Sequence, residues 1–428
     1  MKKSFKRAVC AMLSAAVLLG VCACGGKAGS GFSNSTSDLM AGFKPSTNAL
    51  SFKKDDGLER TFENEYRSFA FRLFSQCAKK DSSHQNTLVS PLSVMTALAM
   101  TANGANDNTL AEMLNALNGE TAQDISQLNQ YLGAYLGSLP SEPKAKFASA
   151  NSIWVREGSL DVKKEFLQTN ADYYGADVFQ SEFDEKTLRD INQWVSDNTG
   201  RMIPKILDEI PDAAVMYLIN ALSFDAEWQK IYSEDELFED EFTDIDGKTQ
   251  QVTMMSSNES GYLDDGMAKG FIKPYASGYS FVAMLPDEGV SLDGYIEKMQ
   301  SLGLWEQISK GDREPVMASI PKFSAKYSTE LSDVLKAMGM RDAFDADNAD
   351  FSGMAKVNKG ELYINRVIHK TAIQVDERGT KAGAATAVEM KTNGALMNMV
   401  YFNRPFVYMI IDDQSCLPIF IGQVTHIE

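Results

Sequence analysis

Phe62, Tyr66, Phe69, Ala70, Leu73 and Cys77 recur at helical spacing and predict one core-facing helix. Next, Ser90-Pro91-Leu92-Ser93 places a serine cap before a proline at the first helical position, and residues 94–100 are apolar on nearly every face. That run predicts a buried helix, stopped by Asn103-Gly104. Leu188, Ile191, Trp194 and Val195 give an amphipathic helix ending at Gly200. Strand-like runs cover residues 215–224, 280–285, 316–320, 372–375, 406–411 and 419–421. Helices gather in the N-terminal half and strands in the C-terminal half, and no Pro/Gly linker or internal repeat divides them. The expected fold class is α+β, with large sheets in a single domain.

One segment resists a single assignment. Residues 379–388 carry small or β-branched side chains that a sheet interior accepts, whereas 391–395, Lys-Thr-Asn-Gly-Ala, are polar and loop-like. Such a stretch is able to live as an exposed loop or as a buried central strand, which suggests a spring.

The first 23 residues read differently from the rest. Lys2, Lys3, Lys6 and Arg7 precede an apolar run from 8 to 21, which is shorter than the roughly 20 residues a membrane span needs. Residues 1–23 are therefore an export signal and stand outside the fold. The ending Val21-Cys22-Ala23-Cys24 resembles a bacterial lipoprotein signal, with Cys24 as the lipid anchor; an ordinary secretory signal is the alternative. Residues 24–57 are Gly/Ser/Asn-rich and read as a flexible tether, with Leu39-Met40 an unexplained apolar interruption. The folded domain is expected over 58–428.

Composition narrows the partners. With 44% hydrophobic and 23% charged residues the chain is an ordinary globular one. Loss of four positive charges with the signal moves the formal charge from -17 to -21, so phosphate backbones are repelled and nucleic acid is no partner. Three histidines, His84, His369 and His426, lie far apart without ligand spacing, so no metal or other cofactor is expected. Cys77 and Cys416 outlast the signal and read as two separate thiols rather than a disulfide.

The elements, in this order, resemble a serpin from about residue 60 to 428. The blocks that carry the resemblance are residues 86–93 (NTLVSPLS), Asn220 through Trp228, 368–380 (IHKTAIQVDERGT), 350–354 (DFSGM) and 402–406 (FNRPF). The resemblance implies N-terminal helices around a large central mixed sheet plus further sheets, and an exposed reactive-centre loop near the C-terminus. It places Ser90, Ser93, Asn220 and His369 in the shutter beneath the main sheet, and Trp228 at the breach where an inserting loop first enters. Asp225-Ala226 departs from the family's usual Lys-Gly beside that tryptophan, which leaves the local turn geometry open.

The resemblance further implies an irreversible suicide inhibitor of extracellular serine proteases, which are the partners, and a monomer without catalytic residues of its own. Cleavage of the loop would trap an acyl-enzyme while the loop enters the sheet, a known instance of strand addition. The hinge comprises Glu377, Gly379, Thr380, Ala382, Ala384, Ala385 and Thr386. Counted alternately, Thr380, Ala382, Ala384, Thr386 and Val388 share one face, while Lys381 and Glu389 share the other, as a half-buried strand requires. The reactive bond falls at Asn393-Gly394, with Thr392, Ala395 and Lys391 as neighbours. Small residues there suit an elastase-like or subtilisin-like protease. The rival readings are a non-inhibitory serpin serving as substrate, binding or chaperone module, a hydrolase, which lacks a free histidine base, and a solute-binding lipoprotein.

Overall fold

Helix α1 (Asp56–Lys80) carries the predicted stripe, with Phe62, Tyr66, Phe69, Ala70, Leu73 and Cys77 all buried. Helix α2 (Pro91–Ala102) starts at the expected serine cap: Ser90 Oγ accepts from the Ser93 amide at 3.3 Å, and every residue of the helix is buried. Helices α3 (Asp107–Asn118), α4 (Ile125–Ser138), α5 (Lys164–Tyr174) and α6 (Glu185–Asn198) follow. These elements belong to a computed structural model that describes residues 32–33, 35–46, 56–80, 85–118, 124–140, 145–158, 160–310, 313–380 and 398–428. The short helices α7 (Leu292–Lys298), α8 (Leu304–Ile308) and α9 (Ser332–Ala337) lie in the C-terminal half, so helices and strands are less segregated along the chain than the pattern suggested.

Among the described residues, three sheets hold the strands. The main sheet runs in the order β1 (Thr36–Asp38), β4 (Asp177–Ser181), β3 (Ala145–Arg156), β5 (Met216–Glu227), β14 (Gly379–Thr380), β13 (Arg366–Asp376) and β12 (Phe323–Glu330). The second contains β2 (Leu88–Val89), β17 (Pro418–Val424), β16 (Phe406–Asp412), β10 (Tyr279–Pro286), β9 (Ala268–Pro274) and β8 (Tyr262–Asp264). The third contains β15 (Asn398–Tyr401), β11 (Val316–Pro321), β7 (Thr249–Glu259) and β6 (Leu237–Thr243). The fold class is thus α+β with a mixed main sheet.

A core lies on each face of that sheet. Behind it, α2 packs between the main sheet and β17. In front, Ile191, Trp194 and Val195 of α6 bury against Trp154, Phe179, Ile219, Ala221 and Ile368. This amphipathic helix lies over β3, and the carbonyl of its C-cap residue Thr199 accepts from Ser223 Oγ of β5.

The stretch read as a flexible tether over 24–57 requires correction. Residues 36–38 add an antiparallel edge strand to β4, and the Leu39 amide donates to Val178 O at 2.9 Å. Phe32 packs edge-on against Trp154 and Phe179, at centroid distances of 6.0 and 5.1 Å. Leu39, Met40 and Phe43 pack against the rear core, which accounts for the apolar interruption. Asp190 on α6 accepts from Ser33 N (3.1 Å), Ser33 Oγ (2.6 Å) and Thr36 Oγ1 (2.7 Å). The segment is a strap joining the sheet edge to the helix above it. Residues 24–31, 34 and 47–55 lie outside the described ones.

Replacing Asp190 by Ala removes the acceptor of three donors in a largely buried site. The expected cost is about 2 kcal/mol, and limited proteolysis should then cut within 33–46 at concentrations of protease that spare the parent chain.

Candidate functional site

The arrangement of β5 and β13 sets the site. They pair in parallel over seven positions, from Tyr217↔Arg366 to Ser223↔Ala372, and then diverge. Into the gap above enters β14, antiparallel to both neighbours: Thr380 faces Ala226 and Val375, and Gly379 faces Glu227 and Asp376. The sheet is thus zipped below and opened at its upper end by two residues.

Gly379 has a φ of 154°, and an added Cβ would collide with the Ala226 carbonyl oxygen, so only glycine lets the chain enter this close to β5. Asp376 Oδ1 shapes the preceding turn by accepting from Arg378 N at 2.9 Å and Gly379 N at 3.3 Å. Asp225 and Ala226 lie inside β5, which continues without a turn to Glu227.

Above the gap, Trp228 holds the incoming backbone twice. Its amide donates to Arg378 O and its indole Nε1 to Asp376 O, both at 2.9 Å. The Tyr232 amide adds a bond to Glu377 O at 2.9 Å, and the Glu377 carboxylate meets Lys322 Nζ at 2.7 Å, which lowers its pKa. Trp228 stacks on Tyr275 at 4.3 Å and 12°. Beneath lies a charge pair, Lys273 to Glu259 at 2.5 Å, with side chains only 2% and 9% exposed. Lys273 Nζ also sits 4.2 Å from the Tyr232 ring centroid.

Midway down the zipped part, the structure brings Ser90, Ser93, Asn220 and His369 into one hydrogen-bonded cluster. The Ser90 amide donates to His369 Nε2 at 3.1 Å, so the ring proton sits on Nδ1, which donates to Asn220 Oδ1 at 2.5 Å. Asn220 Nδ2 donates to Ser93 Oγ (2.6 Å) and to Asn151 Oδ1 (2.8 Å), and Ser93 Oγ donates to Asn151 Oδ1 (2.9 Å). His369 and Asn220 are register partners across the seam, so parting β5 from β13 at this level breaks their bond. Full burial pushes the His369 pKa down to about 3 and keeps the ring neutral.

Sequence reasoning missed Asn151, Tyr275 and the Lys273–Glu259 pair. Asn151 lies outside the strand-like runs read from the sequence, and a lone amide between the small residues Ala150 and Ser152 was its only signal. Ala382, Ala384, Ala385, Thr386, Lys391, Thr392, Asn393, Gly394 and Ala395, together with Cys24, lie outside the described residues. Cys77 and Cys416 are both free; Cys77 is buried, which pushes its thiol up to about 12, and Cys416 is half-buried. Among the described residues, no group of three or more His, Cys, Asp or Glu is placed to hold a metal ion, and no helix is long and apolar enough to cross a membrane.

Comparison with known proteins is consistent across sequence and structure. A family model described as Serpin (serine protease inhibitor) matches residues 64–427. Serpin A3-1 of Bos taurus is 31% identical over 376 residues, covering 86% of this chain and 89% of that protein. The thermophilic serpin tengpin in its native state superposes with a TM-score of 0.84 at 43% identity, covering 92% of this chain and all of that one. In its latent state the same protein gives 0.76 at 42% identity, with coverages of 88% and 100%. The thyroxine-binding globulin complex with thyroxine shares the fold, with a TM-score of 0.76 at 24% identity over 85% of this chain and 98% of that one.

Because His369 is held neutral, the unfolded chain, with a histidine near 6.5, binds a proton that the native chain refuses. Stability is therefore lost as pH falls below 6.5 toward 3, with a slope from this group of at most about 1.4 kcal/mol per pH unit. Urea unfolding at pH 7 and pH 5 should show a smaller pH-dependent loss in His369→Gln than in the parent.

Proposed function

The chain belongs to the serpin family, whose members are protease inhibitors rather than enzymes and include non-inhibitory proteins, and from that premise we propose an irreversible suicide inhibitor of extracellular serine proteases. The observation that carries this reading is the seated pair Gly379–Thr380. Thr380 is fully buried, which fixes the parity of any strand that continues from it. Thr380, Ala382, Ala384, Thr386 and Val388 then face the core, and Lys381 and Glu389 face outward.

Register adds a second support. Continued from Thr380, the inserted strand places Thr386 level with both Asn220 and His369, and residue 389 level with Tyr217 and Arg366 at the foot of the seam. A threonine hydroxyl thus arrives where insertion breaks the His369–Asn220 bond, and offers both groups a new partner. In this reading Glu377, Gly379, Thr380, Ala382, Ala384, Ala385 and Thr386 are the hinge. Ser90, Ser93, Asn220 and His369 are the shutter, and Trp228 guards the breach.

A strand that ends at 389 lies before the proposed reactive bond Asn393-Gly394, so cleavage there leaves the full inserting length on the inhibitor. Cleavage after Lys391 leaves less slack and favours substrate turnover over trapping. The target class is elastase-like or subtilisin-like, because the residues about the bond are small. The protein would act outside the cell, exported by residues 1–23 and held at the membrane through Cys24.

Insertion exchanges one parallel ladder for two antiparallel ones. With about ten additional ladder hydrogen bonds at about 1 kcal/mol each, the cleaved chain should gain on the order of 10 kcal/mol. Titration with an elastase should give a complex that survives hot detergent, and nicking near Asn393 should raise the unfolding midpoint sharply. A non-inhibitory serpin would give only a clipped loop. Mass spectrometry of the released C-terminal peptide locates the bond, and a peptide starting at residue 392 would replace Asn393 by Lys391.

A further inference from the structure

The proposed inhibitory reading explains why a loop enters the sheet, but not what selects its register. Slipping the inserting strand by one residue would turn Lys381 and Glu389 beneath the sheet and leave their charges buried. Gly379 has no side chain with which to resist that slip, so the first residue that reports parity is Thr380.

Tyr275 meets Thr380 at this point. Its phenol oxygen lies 2.7 Å from Thr380 Oγ1, and both side chains are buried. The ring is held on several sides, stacked on Trp228 and edge-on to Phe224 at 5.2 Å, while the Tyr275 amide donates to Tyr279 O at 2.8 Å. Burial raises the phenol far above its ordinary pKa, so it stays a neutral hydroxyl able to donate or accept. Trp228 grips the backbone of Asp376 and Arg378, which carries no parity information, whereas Tyr275 contacts a side chain.

We propose that Tyr275 is a positioning residue for loop insertion: its hydroxyl captures Thr380 and thereby fixes which face of the following strand turns toward the core. The assignment rests on the inhibitory reading for its consequence, but the capture itself is present in the uncut protein. It makes the first step of insertion a matter of extending an existing pair rather than starting one. A loop so registered moves inward before the acyl-enzyme hydrolyses.

The test uses the full chain, with Tyr275→Phe, Thr380→Val and the double variant. Each single change strands one buried hydroxyl, whereas the double change replaces both by apolar groups of similar shape. In the uncut protein, amide hydrogen exchange over 376–380 is expected to quicken about fivefold in each single variant, and to return toward the parent rate in the double. An unchanged Trp228 fluorescence spectrum shows that the stacked pair survives. The number of inhibitor molecules consumed per elastase trapped should follow the same order, high for the singles and lower for the double. Exchange in Tyr275→Phe equal to the parent, or a double variant as fast as the two singles combined, would overturn the assignment. A parent chain that is merely clipped by elastase overturns the inhibitory reading, and the exchange pattern then still decides for or against Tyr275.

Discussion

A parallel seam between β5 and β13 is the joint on which the proposed mechanism turns. Parallel pairing is slightly less stable per residue than antiparallel pairing, and these strands hold together over only seven positions before they part. Gly379–Thr380 of β14 run antiparallel to both neighbours, so in the proposed mechanism completion of β14 would replace the poorer ladder with two better ones. The native chain therefore stops short of its best hydrogen-bonded sheet. In the proposed mechanism, what keeps it there is the continuity of the chain into β15, whose register with β11 fixes Asn398–Tyr401. An uncut loop is tied at both ends.

The chemistry of the seam suits a joint that must open. Apolar contacts that part leave a void or wet surface, whereas a hydrogen-bonded cluster gives up one partner and accepts another of similar geometry. His369 and Asn220 are linked to each other across the joint, but each also keeps a partner on its own side: Ser90 for the histidine, and Ser93 and Asn151 for the amide. Parting the strands thus strands one bond rather than a whole network. On the other face, Ile191, Trp194 and Val195 of α6 share one apolar core with residues of both strands, so in the proposed mechanism opening disturbs that core. The strap from Phe32 to Met40 joins α6 to the sheet edge through Asp190 and opposes that motion. Polar joint and apolar brace act on the same movement with opposite sign.

Much of this was legible in the chain because local and global signals agree. The Ser90-Pro91 start, the apolar 94–100 run and the six strand-like runs coincide with elements whose burial is nearly complete, where periodicity and packing reinforce each other. The strap was not, since three paired residues in a Gly/Ser-rich segment make too short a run to show any period, and its stability comes from Asp190, distant in sequence. Strand β4 has only five residues, and β6 is largely exposed and acidic, so neither shows a run of apolar residues. Tyr275 gave no signal of its own, because its role arises from a hydroxyl 105 positions away.

Lys273 and Glu259 show why some of the machinery runs against the sequence rules. A lysine within a β9 burial pattern that is otherwise almost wholly buried looks like an error in a strand, and taking both charges out of water costs several kcal/mol before their attraction is counted. A hydrocarbon pair would fill the space at lower cost but would have no preferred direction. The charge pair does: Lys273 Nζ is fixed by Glu259 Oε1 and in turn lies over the ring of Tyr232, whose amide holds Glu377 O. Because Glu377 begins the turn that delivers Gly379 to the gap, a directional contact below is transmitted through Tyr232 to the angle at which the chain enters. Stability is traded at this point for geometry, and the geometry that results is the entry of Gly379 and Thr380 between β5 and β13.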